Sequence, residues 1–212
     1  MKQIVFFGDS NTWGQNPENG GGRYPFDVRF TGLLTARMPD YHICEEGVCG
    51  RTAMAEDTLT AFRSGVKFLP CVLNTHSPID LLVIMLGTND TKPKFGVRAE
   101  EIGYGVEELL RIVRSPLTWH GEPVREVLLV SPIEVGAHVT TTDMQFEFDE
   151  SSVAKSKQLG AVLEDVAKRW DCHFLDAAKV TPPSAADAIH LDGAGHRAMA
   201  DALEAKIREI LK

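Results

Sequence analysis

The chain has 212 residues, of which 43% are hydrophobic and 25% charged, with 18 Gly and 11 Pro dispersed along it. This is the balance of an ordinary globular protein, and a chain of this length buries roughly 70% of its unfolded surface, so disorder is excluded and one domain over 1–212 is expected. A formal charge of -8, with no run of Lys or Arg beyond two residues, offers no footprint for a polyphosphate backbone and excludes nucleic acid as a partner.

In chain order, the apolar run 4–7 reads as a buried parallel strand that passes straight into Gly8-Asp9-Ser10-Asn11-Thr12. A serine is thereby delivered to the carboxyl end of a strand, where open α/β sheets put their chemistry. The apolar segment is too short for a signal peptide or a membrane span, so the expected compartment is the cytoplasm, with no membrane partner. A Gly-rich segment, 16–23, precedes a helical stretch at 30–37. A second strand, 42–44, leads into Gly47-Val48-Cys49-Gly50-Arg51-Thr52, and a third, 81–86, into Gly87-Thr88-Asn89-Asp90. Helix 99–114 and strand 124–130 follow.

The connection 134–150 is long for a compact domain, and such loops are usually functional or mobile. Helix 151–170 ends in the basic pair Lys168-Arg169, and strand 172–175 completes a set of five. Beyond it come Asp187-Ala188-Ile189-His190 and a C-terminal helix, 194–211, opened by Asp192-Gly193. Strand and helix alternate throughout. The expected fold is therefore α/β: a three-layer α/β/α sandwich around a flavodoxin-like five-stranded parallel sheet.

Cys44, Cys49, Cys71 and Cys172 show no zinc spacing and read as buried reduced thiols, leaving a Cys44 to Cys49 bridge as the alternative. Gly193-Ala194-Gly195-His196-Arg197-Ala198 matches a dinucleotide fingerprint only by chance, since no strand precedes it. His196 lies inside the C-terminal helical pattern and reads as structural. No cofactor or metal is called for.

A serine hydroxyl becomes a nucleophile only beside a base, and the base needs a third group to fix its tautomer. Ser10, His190 and Asp187 fill these roles; the D-x-x-H spacing lets the carboxylate reach imidazole Nδ1 within one turn while Nε2 faces the serine. Asp192 and Asp176 contest the third position without that spacing. Asp9 reads as a residue that hydrogen-bonds its own turn. The oxyanion of an acyl-transfer intermediate needs donors that are already in place. The Ser10 N–H, the Gly50 N–H and the Asn89 amide are the candidates, since all follow strand ends on one sheet edge.

These residues, in this order, resemble the four sequence blocks of the SGNH (GDSL) hydrolase superfamily: Gly8-Asp9-Ser10, Gly50, Gly87-Thr88-Asn89-Asp90, and Asp187-Ala188-Ile189-His190. Within it the chain is most similar to the bacterial arylesterase and acyltransferase branch, through Trp13-Gly14, Glu45-Glu46-Gly47, Thr91-Lys92 and Val130-Ser131-Pro132. The resemblance implies a serine esterase acting on small-molecule, short-chain aryl or alkyl esters through an acyl-enzyme, with transfer to alcohols or peroxide as a side activity, and a homo-oligomer. It also implies a small acyl pocket lined by Trp13, Phe146 and Ile189, with Lys92 and Phe95 near its mouth. The rival readings are a carbohydrate acetylesterase, a thioesterase or lysophospholipase, and a non-catalytic flavodoxin-like module holding a phosphate or nucleotide.

Overall fold

Five runs of aliphatic and β-branched residues become the strands β1 (Lys2–Gly8), β2 (Tyr41–Gly47), β3 (Leu81–Met85), β4 (Glu126–Ser131) and β5 (His173–Asp176) in a computed structural model that describes residues 1–19, 22–115 and 117–212. Part of the Gly-rich segment, Gly20 and Gly21, lies outside the described residues. All neighbouring strands are parallel, in the order β2-β1-β3-β4-β5, and Ile4 pairs with Ile43 on one side and Leu81 on the other. β2 is longer than its apolar centre predicts. It is an edge strand, and its last residues are polar because they leave the core: Glu45 is bonded by Arg29 and Arg23, and Glu46 by His76.

The helices are α1 (Ser10–Trp13), α2 (Phe30–Arg37), α3 (Gly65–His76), α4 (Ala99–Arg114), α5 (Glu150–Arg169) and α6 (Gly193–Ile210). Asp149 caps α5 by accepting from the Ser151 and Ser152 N–H groups, and Asp192 caps α6 by accepting from that of Gly195. The sequence reading has no counterpart to α3, which carries Pro70 in its interior. Proline removes one helical hydrogen bond, but Leu69, Val72 and Leu73 are buried against the sheet and the helix persists.

Alternation along β1 splits the core in two, as the strand period requires. Val5 and Phe7 face a cluster with α3, α4 and α5, whereas Ile4 and Phe6 face one with α2 and α6. The chain leaves β1 for β2 on one side and returns to β3 on the other, so the sheet's switch point lies between β1 and β3. Such a crevice is where parallel sheets bind ligands. The connection 134–150 carries two short 3₁₀ turns, Val139–Thr141 and Asp143–Phe146, and a small core of its own in which Val135, Val139 and Phe148 pack on Ala188 and Ile189.

All four cysteines are free, but only Cys44 is buried: Cys49 and Cys172 are half-buried, and Cys71 is exposed because it lies on the solvent side of α3. Among the described residues no helix is long and apolar enough to cross a membrane.

Candidate active site

Ser10 opens α1 directly beyond β1. Asp9 precedes it as the cap, its carboxylate accepting the Asn11 N–H at 3.0 Å. The first residue of a helix has no intrahelical acceptor for its N–H, and neither the Ser10 nor the Gly50 N–H donates to a protein group among the described residues. Gly50 sits in the turn after β2 at φ 80, a left-handed conformation that glycine adopts without strain. Asn89 begins a 3₁₀ turn after β3 and spends one amide hydrogen on the Arg51 carbonyl at 3.1 Å, the other having no partner among the described residues.

His190 Nε2 lies 2.9 Å from Ser10 Oγ, and its Nδ1 is hydrogen-bonded to Asp187 Oδ2. The other Asp187 oxygen accepts the Ile189 and His190 N–H groups at 3.0 and 2.9 Å, which closes the D-x-x-H turn on itself. Ala188, between them, has φ 66, a conformation that costs roughly 1–3 kcal/mol. It is held there by bonds on both sides, from Ala188 N–H to Ser184 and from Gly136 N–H to the Ala188 carbonyl. Burial pushes the Asp187 carboxyl upward, but the hydrogen bond and charge of His190 and the two backbone donors outweigh it, so the group sits below its ordinary value.

Two side chains that carry no role in the sequence reading tie these loops together. Asn11 accepts the Leu191 N–H at 2.9 Å and donates to the Ile189 carbonyl at 3.3 Å, gripping the chain on either side of His190. Arg51, 4% exposed, donates to the carbonyls of Gly8 and Glu46 at the ends of β1 and β2, and its guanidinium lies 4.2 Å from the Phe7 ring centroid. Burial lowers its pKa to about 10. Asp90, beside Asn89, accepts the Ala53 N–H and fastens the third loop to the second. Burial raises both Asp9 and Asp90 to about 6.

Ser10, His190, Gly50 and Asn89 line one cleft of about 330 Å³ together with Lys92 and Ile189. Two residues expected to line the acyl pocket, Trp13 and Phe146, and one expected near its mouth, Phe95, lie outside the cleft lining. Trp13 packs its backbone on Gly47, and its ring lies beneath Arg23. Phe95 lies on the next 3₁₀ turn under Lys94, and Phe146 is 86% exposed and lines a neighbouring cavity with Leu59. The apolar wall is formed instead by Ile189, Met144 and Phe148, and the rest of the lining is polar: Gln15, Asp57, Thr60, Arg63, Lys92 and Glu147. Phe148 was findable as the one apolar residue of the 134–150 connection flanked by Glu147 and the capping Asp149; Arg63 had no sequence signal. Among the described residues no set of three or more His, Cys, Asp or Glu side chains is gathered to hold a metal.

A sequence model of the GDSL-like Lipase/Acylhydrolase family matches residues 6–198. A search of curated proteins finds no match. Among solved structures, Est24, a carbohydrate acetylesterase from Sinorhizobium meliloti, is 32% identical with a TM-score of 0.91 over 99% of this chain and 100% of that one. The native M. smegmatis aryl esterase is 32% identical with a TM-score of 0.90 over the same shares, 99% and 100%. A carbohydrate acetylesterase family member from Sinorhizobium meliloti is 34% identical with a TM-score of 0.88 over 100% of this chain and 99% of that one.

Proposed function

We propose, for a chain that belongs to the GDSL-like lipase/acylhydrolase family and is thereby a carboxylic ester hydrolase, that it cleaves short-chain esters by attack of Ser10. The observation that carries this is the 2.9 Å contact between His190 Nε2 and Ser10 Oγ, with Asp187 on the far side of the imidazole. In this reading Ser10 donates its proton to His190 as its oxygen bonds to the ester carbonyl carbon. The carbonyl electron pair moves onto oxygen and is held by the Ser10 and Gly50 N–H groups and the second Asn89 amide hydrogen. His190 then passes the proton to the departing alcohol, and the acyl group stays on Ser10. A water that gives its proton to His190 as its oxygen bonds to the acyl carbon releases the acid when the bond to Ser10 Oγ breaks and His190 returns the proton to Ser10; an alcohol in its place gives transfer.

The size of the cleft, about 330 Å³, favours a short acyl group. Its lining by Gln15, Thr60, Lys92 and Glu147 favours an alcohol portion that carries polar groups, so acetyl esters of carbohydrates are the second reading. The test is mass spectrometry after reaction with a fluorophosphonate. Modification on Ser10, together with turnover of short para-nitrophenyl esters that Ser10→Ala abolishes, is expected. An unlabelled Ser10, or full activity in Ser10→Ala, overturns the proposal.

A further inference from the structure

The charged groups of the cleft pair off with one exception. Lys92 is bonded to Glu147, and Asp57 to Lys94 at 2.6 Å, with further support from the Leu59 and Thr60 N–H groups. Among the described residues Arg63 makes no ion pair, and the one hydrogen bond of its guanidinium runs from Nη1 to the Ala61 carbonyl at 3.1 Å. Its position is defined by the backbone. A Cβ placed on Gly50 would stand 3.2 Å from Arg63 Nε, so the guanidinium lies against the residue whose N–H borders the cleft beside Ser10.

The local fold holds it there. The Arg63 carbonyl accepts the Thr52 N–H at 3.0 Å, the Thr52 carbonyl accepts the Gly65 N–H at 2.9 Å, and Thr52 and Ser64 form a parallel bridge. Phe62, just before it, has φ 65, a genuine outlier for an aromatic residue, and such strain clusters at ligand contacts. The strained residue is itself 75% exposed and its ring meets that of Phe68 edge-on, centroids 5.9 Å apart, so burial of its own side chain does not account for its conformation. It is explained if the turn serves to direct Arg63.

We infer that the substrate carries a negatively charged group, a carboxylate or its equivalent, a few bonds from the scissile ester, and that the guanidinium of Arg63 receives it. The inference rests on reading the cleft as an ester-hydrolysing site. Guanidinium is the side chain best matched to a carboxylate, through paired N–H donors. The net charge of -8 repels anions at long range, but charges on other faces are screened over about 8 Å at physiological salt. An unneutralised cation inside the cleft then dominates at contact. A different role, stabilising the oxyanion itself, would act on every ester alike.

The test uses matched pairs: para-nitrophenyl butyrate against para-nitrophenyl hemisuccinate, and phenyl acetate against para-acetoxybenzoate, so that each pair differs by one carboxylate on the acyl or the alcohol side. In the wild type the anionic member of one pair is expected to have the higher kcat/KM. Arg63→Gln should lower that value roughly 10- to 100-fold and leave the neutral partner within about twofold, with Arg63→Lys between. In the wild type, succinate should also compete with the neutral ester where succinamide does not, a readout that needs no variant. Equal losses on both members of each pair, no loss on either, or no difference between succinate and succinamide overturns the inference while leaving ester hydrolysis standing. No turnover of any ester by the wild type overturns the reading on which it rests.

Discussion

Asn11→Ala is expected to uncouple His190 from Ser10 without touching either. The Asn11 side chain, 3% exposed, satisfies two backbone groups, the Leu191 N–H at 2.9 Å and the Ile189 carbonyl at 3.3 Å. Its removal leaves both unpaired in a buried setting. At about 1–3 kcal/mol for each such group, partly relieved by water entering the space left behind, the loss of stability is about 2–4 kcal/mol. For a chain of this size each kcal/mol moves Tm by about 2–4 °C, so a fall of roughly 5–15 °C is expected. The effect on rate is separate. With its flanks released His190 is free to drift from Ser10, and a displacement of about 1 Å costs on the order of 10² in kcat. Thermal unfolding and initial rates on para-nitrophenyl acetate measure the two. Leu163→Ala, which empties a position 1% exposed in the core on the other side of the sheet, should cost about 2–5 kcal/mol with kcat unchanged. Should Asn11→Ala lose stability and keep wild-type kcat, as the Leu163 variant does, the argument that the amide positions His190 is refuted.

Asn89→Ala removes one oxyanion donor and should lower kcat by about 10²–10³ with KM little changed; equal losses in kcat and binding, read from full saturation curves, would contradict that role. Burial lowers the His196 pKa from 6.5 to about 4, so its contribution is present in full above pH 6.5 and is lost as the pH falls through 4, a difference of about 3 kcal/mol. Urea midpoints of His196→Gln should therefore lack the acid-side decline of the wild type between those values. Asp9 has the opposite sign. Burial raises it from 3.8 to about 6, so its contribution is complete below pH 3.8 and lost as the pH rises through 6. Asp9→Asn keeps an acceptor for the Asn11 N–H and should gain up to about 3 kcal/mol on the wild type at pH 8 but little at pH 4, measured by thermal unfolding.

The strands were legible because a parallel sheet covered on both faces needs continuous apolar runs, and 4–7, 81–86 and 124–130 supply them. Helices α2 and α4 were legible to the residue, and α6 to within one. Helix α3 was not, because the local signals at Gly65 and Pro70 oppose a helix and only tertiary burial of Leu69 and Leu73 sustains it. At the site, the residues that follow strand ends could be placed from the sequence: Ser10, Gly50 and Asn89 share one sheet edge, and Asp187 and His190 share a turn. Side-chain direction could not. Trp13 is three residues from Ser10, a spacing that places both on one side of a helical turn, yet its ring lies under Arg23 and is not part of the cleft lining. Phe146 has the apolar character of a pocket residue but sits on a 3₁₀ turn that leaves it in solvent.

What the strand ends do not supply is fixity. The loops that follow β1, β2 and β3 leave the ladder there, so backbone bonds alone would leave them free to relax. The side chains that stop this each sit one residue from a group of the site: Asn11 after Ser10, Arg51 after Gly50, Asp90 after Asn89. Each reaches a segment other than its own loop, Asn11 the His190 segment, Arg51 Gly8 as well as Glu46 at the end of its own strand, and Asp90 Ala53. The adjacency follows from geometry. A residue whose backbone or side chain faces the cleft has neighbours directed back into the protein, where a polar group is tolerated only if it is bonded. Buried polar partners on neighbouring loops meet that condition and cross-link the rim at the same time. The cluster is therefore rigid for the same reason that it is costly to bury, and loosening any one of the three is expected to move a group that it does not touch.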